Sequence, residues 1–137
     1  MFADQNNVTV TAGGGYYQGQ VTLTGSPTSG SDFIVCFKGQ NHLRKKFANV
    51  TINVGGNNTL DRSGTVDKLI VGDVNDDNMI TSADKGAVLA VWTAPQTPVN
   101  DNNRRYDLTE NGYIDSGDLG WFLANWTSPV VSGDVCE

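Results

Sequence analysis

The sequence predicts an α+β protein in which a small antiparallel β-sandwich is followed by two short helices. Two observations lead to this prediction. Up to about residue 71, β-branched and apolar residues alternate in short segments, whereas from Asp73 onward apolar residues recur at helical spacing. With 137 residues, 38% of them hydrophobic and 18% charged, the chain has the size and composition of one folded domain or two very small ones in contact.

Five segments of the first half alternate as β-strands do. They are Val8–Thr11, Gln20–Thr24, Phe33–Phe37, Val50–Val54 and Val66–Val71. Turn-forming residues separate most of them, as in Gly25-Ser-Pro-Thr-Ser-Gly30. This spacing suggests a small antiparallel sandwich over residues 1–71. Because it lies so near the first residue, Val8–Thr11 is expected to be an edge strand or a strand donated to a neighbouring chain.

Charge is distributed unevenly along the chain. Residues 1–60 carry two acidic and four basic side chains, whereas residues 61–137 carry thirteen acidic and five basic ones. The net charge of −6 argues against nucleic acid as a partner, and no apolar run is long enough for a membrane-spanning helix. The basic stretch Lys38–Phe47 has three interpretations. It binds an acidic partner, packs against the acidic half of the same molecule, or forms a solvated loop.

Two helices are predicted in the second half, over Ala83–Trp92 and Asp118–Trp126. Each has apolar residues at positions that share one helical face. Trp92 and Trp126 fall at equivalent points of the two segments, which indicates core positions. Between the helices, Thr93–Arg105 holds two prolines and an Asn/Asp cluster and is predicted to be a linker or an exposed loop.

A twelve-residue pattern precedes each helix, and its two copies are offset by 34 residues. It places oxygen-bearing residues at positions 1, 3, 5, 7, 9 and 12, the positions from which an EF-hand loop ligates calcium. In the first loop the predicted ligands are Asp73, Asn75, Asp77, the Met79 carbonyl, Thr81 (through water) and Asp84. In the second loop they are Asp107, Thr109, Asn111, the Tyr113 carbonyl, Asp115 and Asp118. The pattern therefore predicts two bound Ca²⁺ ions.

Positions 6 and 8 of the loops add to this prediction. Position 6 requires a positive φ, which suits Gly112 and, less well, Asn78. Position 8 is Ile80 or Ile114, the apolar residue through which paired loops join across a short β-bridge. The alternative is that both segments are polar turns in which Asp84 and Asp118 only cap helices. Because Thr109 is a weak ligand, the second site is expected to bind calcium less tightly than the first.

The duplicated loops depart from an ordinary EF-hand, since position 12 is Asp and no helix enters either loop. This pattern, over about Val71–Ser128, resembles the dockerin family of bacterial extracellular modules. The resemblance implies that the two units pack antiparallel with pseudo-twofold symmetry, that calcium is required for folding, and that the partner is a cohesin-like β-sandwich. It also implies partner-binding residues at loop positions 10 and 11, which are Ser82, Ala83, Ser116 and Gly117. These are not the Ser-Thr pairs of the best-known dockerins.

The segment ahead of the loops looks like the small immunoglobulin- or transthyretin-like domains that are fused to such modules in secreted bacterial proteins. The sequence thus divides into a sandwich (1–71), a dockerin-like calcium-binding domain (72–128) and a tail (129–137). Outside the cell, Cys36 and Cys136 would form one disulfide and tie the tail to the sandwich; in the cytosol they would be free thiols.

Four Asn-x-Ser/Thr sequons fit an exported surface, at Asn7, Asn49, Asn57 and Asn125. Residues 1–5 lack the basic and apolar regions of a signal peptide. Either the protein is not exported or its leader has been removed. We expect the protein to be extracellular or at the cell surface.

Two functions are open at this stage. The first is an extracellular docking module that binds a β-sandwich partner. The alternative is a self-assembling subunit of a filament or surface layer, in which the two halves of neighbouring copies meet head to tail. An enzyme is not expected, since the chain has one histidine and no nucleophile–base arrangement. Sugar binding by Tyr16 and Tyr17 stays open.

Overall fold

The computed structural model describes residues 10–13, 16–19, 28–60 and 68–136. In the first half, β1 (Val10–Gly13) pairs antiparallel with β2 (Tyr16–Gly19), and β3 (Gly30–Phe37) pairs antiparallel with β4 (Lys45–Ile52). Within these ranges the two hairpins are separate two-stranded sheets. The immunoglobulin-like sandwich therefore remains a prediction.

The structure confirms the predicted strands of the first half in part. The one at 33–37 lies within β3, the one at 50–54 overlaps the end of β4, and Val10 and Thr11 of the first predicted strand lie in β1. Val8, Thr9 and all of Gln20–Thr24 lie outside the described residues. The predicted strand Val66–Val71 is wrong where it can be seen. Residues 68–70 have no regular structure, and Val71 forms only an isolated bridge to His42. Residues 70–72 form backbone hydrogen bonds with the turn at residues 41–43, and a turn does not offer a long strand to pair with.

A small core lies on one face of the β3–β4 hairpin. Phe47, Val50 and Ile52 are buried there against Phe33 and Val35 of β3 and against Leu60. The spacing from 47 to 50 breaks strict alternation because Asn49 has a left-handed backbone (φ 55°) and the register shifts nearby. An extra residue of this kind lets the strand return Val50 to the buried face.

The second half consists of two loop–helix units related by the 34-residue offset. The first contains β5 (Met79–Ile80) and α1 (Ser82–Val91), and the second contains β7 (Tyr113–Ile114) and α2 (Ser116–Asn125). Both helices lie within two residues of their predicted bounds. No helix in the described ranges is long and apolar enough to cross a membrane.

Equivalent residues of the two units form one core. Ile80 and Ile114 are fully buried, as are Val88 of α1 and Phe122 of α2, and Trp92 and Trp126 pack against them as predicted. Leu43 belongs to this core as well, although it precedes the predicted domain boundary at residue 71. The core of the second half is therefore completed by a residue of the first.

The two loops are not joined to each other through their position-8 residues, as the sequence led us to expect. Instead, β5 pairs with β8 (Val131–Ser132), which follows α2. In the second loop, β7 pairs with β6 (Thr97–Pro98), which follows α1. Each loop is thus completed by the segment that follows the helix of the other unit, and that segment occupies the edge through which the loops could otherwise have paired.

The expected linker Thr93–Arg105 is therefore a structured part of the repeat. After each helix an indole N–H donates to a proline carbonyl three residues on, Trp92 to Pro95 and Trp126 to Pro129, both at 3.3 Å. The chain then enters β6 or β8 at equivalent positions. After β6, a short 3-10 helix (Arg104–Tyr106) leads into the second loop. The repeat accordingly extends about seven residues beyond each helix.

Candidate calcium sites

The carboxylate at position 1 organises the first half of each loop. Asp73 accepts hydrogen bonds from the amides of Asp77 (3.0 Å) and Asn78 (2.9 Å). Asp107 accepts the matching pair from Asn111 (3.1 Å) and Gly112 (2.9 Å). In both loops the chain therefore turns around the carboxylate at position 1, as it must if oxygens at positions 1, 3 and 5 are to converge.

The carboxylate at position 12 ties both ends of the loop together. Asp84 Oδ1 accepts from Val74 N (3.0 Å) and its Oδ2 from Thr81 N (2.9 Å). Asp118 Oδ1 accepts from Leu108 N (2.7 Å), and its Oδ2 accepts from Asp115 N. The alternative interpretation as helix caps is thus partly right, because Thr81 with Asp84 and Asp115 with Asp118 form capping boxes at the starts of α1 and α2.

The remaining predicted ligands lie along the same turns. Asn75 Oδ1 accepts from Asp77 N, and Asp77 Oδ1 accepts from Met79 N at 2.8 Å; Asn111 Oδ1 accepts from Tyr113 N at 2.8 Å in the second loop. Thr109 Oγ1 donates to Asp118 Oδ1 (3.1 Å) and so points into its loop. Every predicted ligand residue thus lies in a folded loop of the expected shape.

Burial of the carboxylates is the strongest physical argument for a cation. Asp73, Asp84 and Asp118 are fully buried and Asp107 is 7% exposed, and these four are the only buried acidic residues in the described chain. They occupy positions 1 and 12 of the two loops. Burying ionised carboxylates costs several kcal/mol each unless charge or hydrogen bonds offset it, on the order of the penalties known for buried ions.

The donor set fits calcium better than a softer metal. No three acidic, His or Cys side chains of the described ranges come together as a metal site by themselves. Each loop instead mixes carboxylate with amide, hydroxyl and backbone carbonyl oxygens, and calcium accepts this mixture because it takes six to eight oxygens of any kind. In each loop the residues at positions 1, 3, 5, 7, 9 and 12 would hold the ion.

Position 6 distinguishes the two loops, and the sequence did not reveal why. Asn78 has the left-handed backbone that this position requires (φ 65°), as does Gly112 (φ 87°). The Asn78 side chain accepts from the amide of Arg44 (2.7 Å) and donates to the carbonyl of Asp134 (3.3 Å). Asn78 thus links the first half of the chain to the C-terminal segment through two side-chain hydrogen bonds that glycine could not make.

The basic stretch packs against the acidic half of its own molecule. Lys38 Nζ lies 2.5 Å from Asp73 Oδ2 and 2.8 Å from Asp76 Oδ1, and it also donates to the carbonyl of His42. This confirms one of the three interpretations of residues 38–47. An ammonium group consequently sits at the position-1 carboxylate of the first loop, whereas no described basic side chain pairs with Asp107.

His42 is half-buried in the same junction. Its Nδ1 is the one buried side-chain nitrogen or oxygen of the described residues that lacks a hydrogen-bond partner. Burial lowers the pKa of His42 below its usual 6.5; Lys38 lowers it further, and Glu110 opposes the shift. The neutral imidazole is therefore the form that fits the folded protein.

The residues expected to contact a partner are all exposed. Ser82 and Ala83 open α1, and Ser116 and Gly117 open α2. Further along α2, Trp121 is 55% exposed beside Gly117 and Gly120. The sequence analysis did not single out Trp121, although its position one residue before the buried Phe122 was a usable signal.

The cysteines and sequons also have defined places. Cys36 and Cys136 form a disulfide with their Cα atoms 6.4 Å apart. Asn49 and Asn57 are exposed, and Asn7 lies outside the described residues. At Asn125, the Nδ2 atom that glycosylation would modify donates to the carbonyl of Val71 at 2.9 Å, so this sequon is engaged in the fold.

Comparison with known proteins gives one match. Residues 71–122 match the family model of the dockerin type I domain. This segment, less than half of the chain, is similar to dockerin type I domains. No curated protein and no solved structure matches the chain. The matched segment contains both loops but stops short of the end of α2 and of β8, the strand that completes the first loop.

Proposed function

We propose that the protein is an extracellular docking module in which two Ca²⁺ ions hold a dockerin fold together, and that this fold binds a cohesin-like β-sandwich. The observation that carries the proposal is the burial of four aspartates at positions 1 and 12 of two equivalent loops within a segment that matches the dockerin domain. Without cations those carboxylates would oppose folding.

The proposed partner surface consists of the exposed starts of the two helices with Leu89, Trp121 and Leu123. These three side chains are 43%, 55% and 48% exposed, although each lies beside a fully buried helical neighbour. Large apolar residues that stay exposed on a calcium-organised scaffold are typical of docking surfaces, and tryptophan is prominent among residues that dominate binding energy.

Binding of an immobilised cohesin domain, measured by biolayer interferometry, tests this function. We expect binding in millimolar calcium and its loss in EGTA. The double substitution Leu89→Ser and Trp121→Ser should abolish binding while leaving calcium affinity unchanged, since both side chains are exposed, lie in the helices beyond the loops and are not predicted ligands. Binding that persists in EGTA would contradict calcium-dependent docking.

A self-assembling filament subunit is the second candidate. It is favoured by the exposure of Ile34 (46%) and Phe37 (44%) on β3, a strand of a two-stranded sheet. The pairing of Lys38 within its own molecule weakens it, because that charge is no longer available to a neighbouring acidic half. Size-exclusion chromatography at high protein concentration in calcium decides between them: a strictly monomeric elution excludes the filament.

A further inference from the structure

Each calcium loop is completed by a short antiparallel strand, but the two partner strands lie at very different distances along the sequence. Pro98 of β6 pairs with Tyr113 of β7, so the second loop and its partner strand are 15 residues apart in sequence. In the first loop Ile80 pairs with Val131, at a separation of 51 residues. Closing the longer connection costs more chain entropy, so β8 needs an additional constraint to match β6.

The C-terminal segment, residues 131–136, forms a hydrogen bond with the first loop at position 6. Gly133 N donates to the carbonyl of Asn78 at 2.9 Å, just as Val99 N donates to the carbonyl of Gly112 in the second loop. The C-terminal segment also makes contacts with the residues at and before the start of β4. Asp134 N donates to the carbonyl of Arg44 (2.9 Å), and Asp134 Oδ2 accepts from Lys46 N (2.8 Å).

The disulfide closes these contacts into a ring. Cys136 is two residues beyond Asp134, and Cys36 is two residues before Lys38, whose ammonium contacts Asp73. From Cys36 the chain runs to Arg44, whose amide donates to Asn78, and Asn78 donates in turn to Asp134. The first loop is thus held from both sides by segments that the disulfide joins.

We propose that the Cys36–Cys136 disulfide sets the calcium affinity of the first loop and leaves that of the second unchanged. Reduction by a dithiol breaks the S–S bond and gives two cysteine thiols, while the dithiol becomes a disulfide. Residues 131–136 then lose their short covalent link to residue 36, and β8 holds the first loop less often. The first site consequently binds calcium most tightly in an oxidising environment. This inference rests on the proposed calcium binding by both loops.

The two position-6 amides provide matched reporters in the unmodified protein. Asn78 N–H donates to Asp73 and Gly112 N–H donates to Asp107, each at 2.9 Å, so each amide senses its own calcium site. ¹H–¹⁵N spectra recorded at buffered free calcium concentrations give a dissociation constant for each loop. The measurement is made on the oxidised chain, on the chain reduced with a dithiol, and on the Cys36→Ser/Cys136→Ser variant.

We expect the calcium dissociation constant of the first loop to rise about tenfold on reduction and that of the second to change less than about twofold. A tenfold change is smaller than the roughly 10²–10⁴-fold gains in affinity that a covalent tether can give. Asn78→Gly keeps the backbone conformation but removes the two side-chain hydrogen bonds, so it should weaken the first loop in the oxidised protein and reduce its response to the dithiol. Equal weakening of both loops, or no change in the first, would overturn the inference while leaving calcium binding intact. If neither amide responds to calcium, the proposed function fails with it.

Discussion

Replacing Lys38 by methionine should strengthen calcium binding at the first loop. The ammonium lies 2.5 Å from Asp73 Oδ2 and 2.8 Å from Asp76 Oδ1, so it pairs with the position-1 carboxylate that calcium would bind in that loop. Methionine keeps an unbranched apolar stem of similar length but removes the charge. The loop would then receive a dication without a neighbouring positive charge.

The size of the effect follows from the geometry. Calcium lies about 2.4 Å from its carboxylate oxygens, so an ion on Asp73 Oδ2 comes within about 5 Å of the Lys38 nitrogen. At that separation a divalent and a monovalent cation repel by about 1.7 kcal/mol in the dielectric of water. The Lys38 side chain is 19% exposed and can move aside, so we expect about a tenfold gain in affinity at low salt rather than the full amount.

Calcium titrations followed at the Asn78 and Gly112 amides measure this gain separately at each loop. Lys68→Met is the control, because Lys68 is exposed and its replacement removes the same charge from the chain. The gain should be confined to Asn78, should be absent in the control, and should shrink as ionic strength rises. An unchanged or weaker first site in Lys38→Met would refute the reasoning, and so would an equal gain at both amides.

Three further predictions follow from the loops and their junction. Asp73→Ala should weaken calcium binding at its loop by more than Thr109→Ala does at the other, since it removes a buried carboxylate rather than a hydroxyl; calorimetry of each variant checks this. Gly133→Ala should destabilise the fold by about 1–3 kcal/mol in chemical denaturation, because a Cβ there would clash with Asn78 Oδ1 and with the backbone nitrogen of Arg44, whereas Gly86→Ala in α1 places a Cβ that meets nothing within 4 Å and should not destabilise. The lowered pKa of His42 favours the neutral folded state, so its contribution to stability is complete above pH 6.5 and is lost as pH falls below that value; His42→Gln should flatten the dependence of melting temperature on pH between about 5 and 7 in saturating calcium, and equal slopes would contradict the assignment.

The parts of the fold that the sequence predicts well are local. The spacing of oxygen-bearing residues in the loops and of apolar residues in the helices depends on neighbours within twelve residues. Both helices lie within two residues of their predicted bounds, and the twelve predicted ligand residues lie in the two loops and the first turn of the helix that follows each. The alternation of β3 and the end of β4 is visible for the same reason.

What the sequence did not predict depends on contacts between distant segments. Pairing of β8 with β5 is made by backbone groups, so the residues Val131–Ser132 carry no distinctive signal. The strand expected at Val66–Val71 is absent over residues 68–71, where Val71 packs into the core of the loop–helix units and Ile70 is exposed. Asn78 looked like an imperfect glycine, although its side chain joins segments 34 and 56 residues away.

The most direct test of the central claim is the stoichiometry of calcium binding, measured by isothermal titration of the calcium-free full-length chain. Two buried pairs of carboxylates in equivalent loops predict two ions per chain. Asp73→Ala should leave one of the two, bound at the Asp107 loop. A titration that shows no calcium binding to the wild-type chain would contradict the account, and so would a stoichiometry of one that Asp73→Ala does not change.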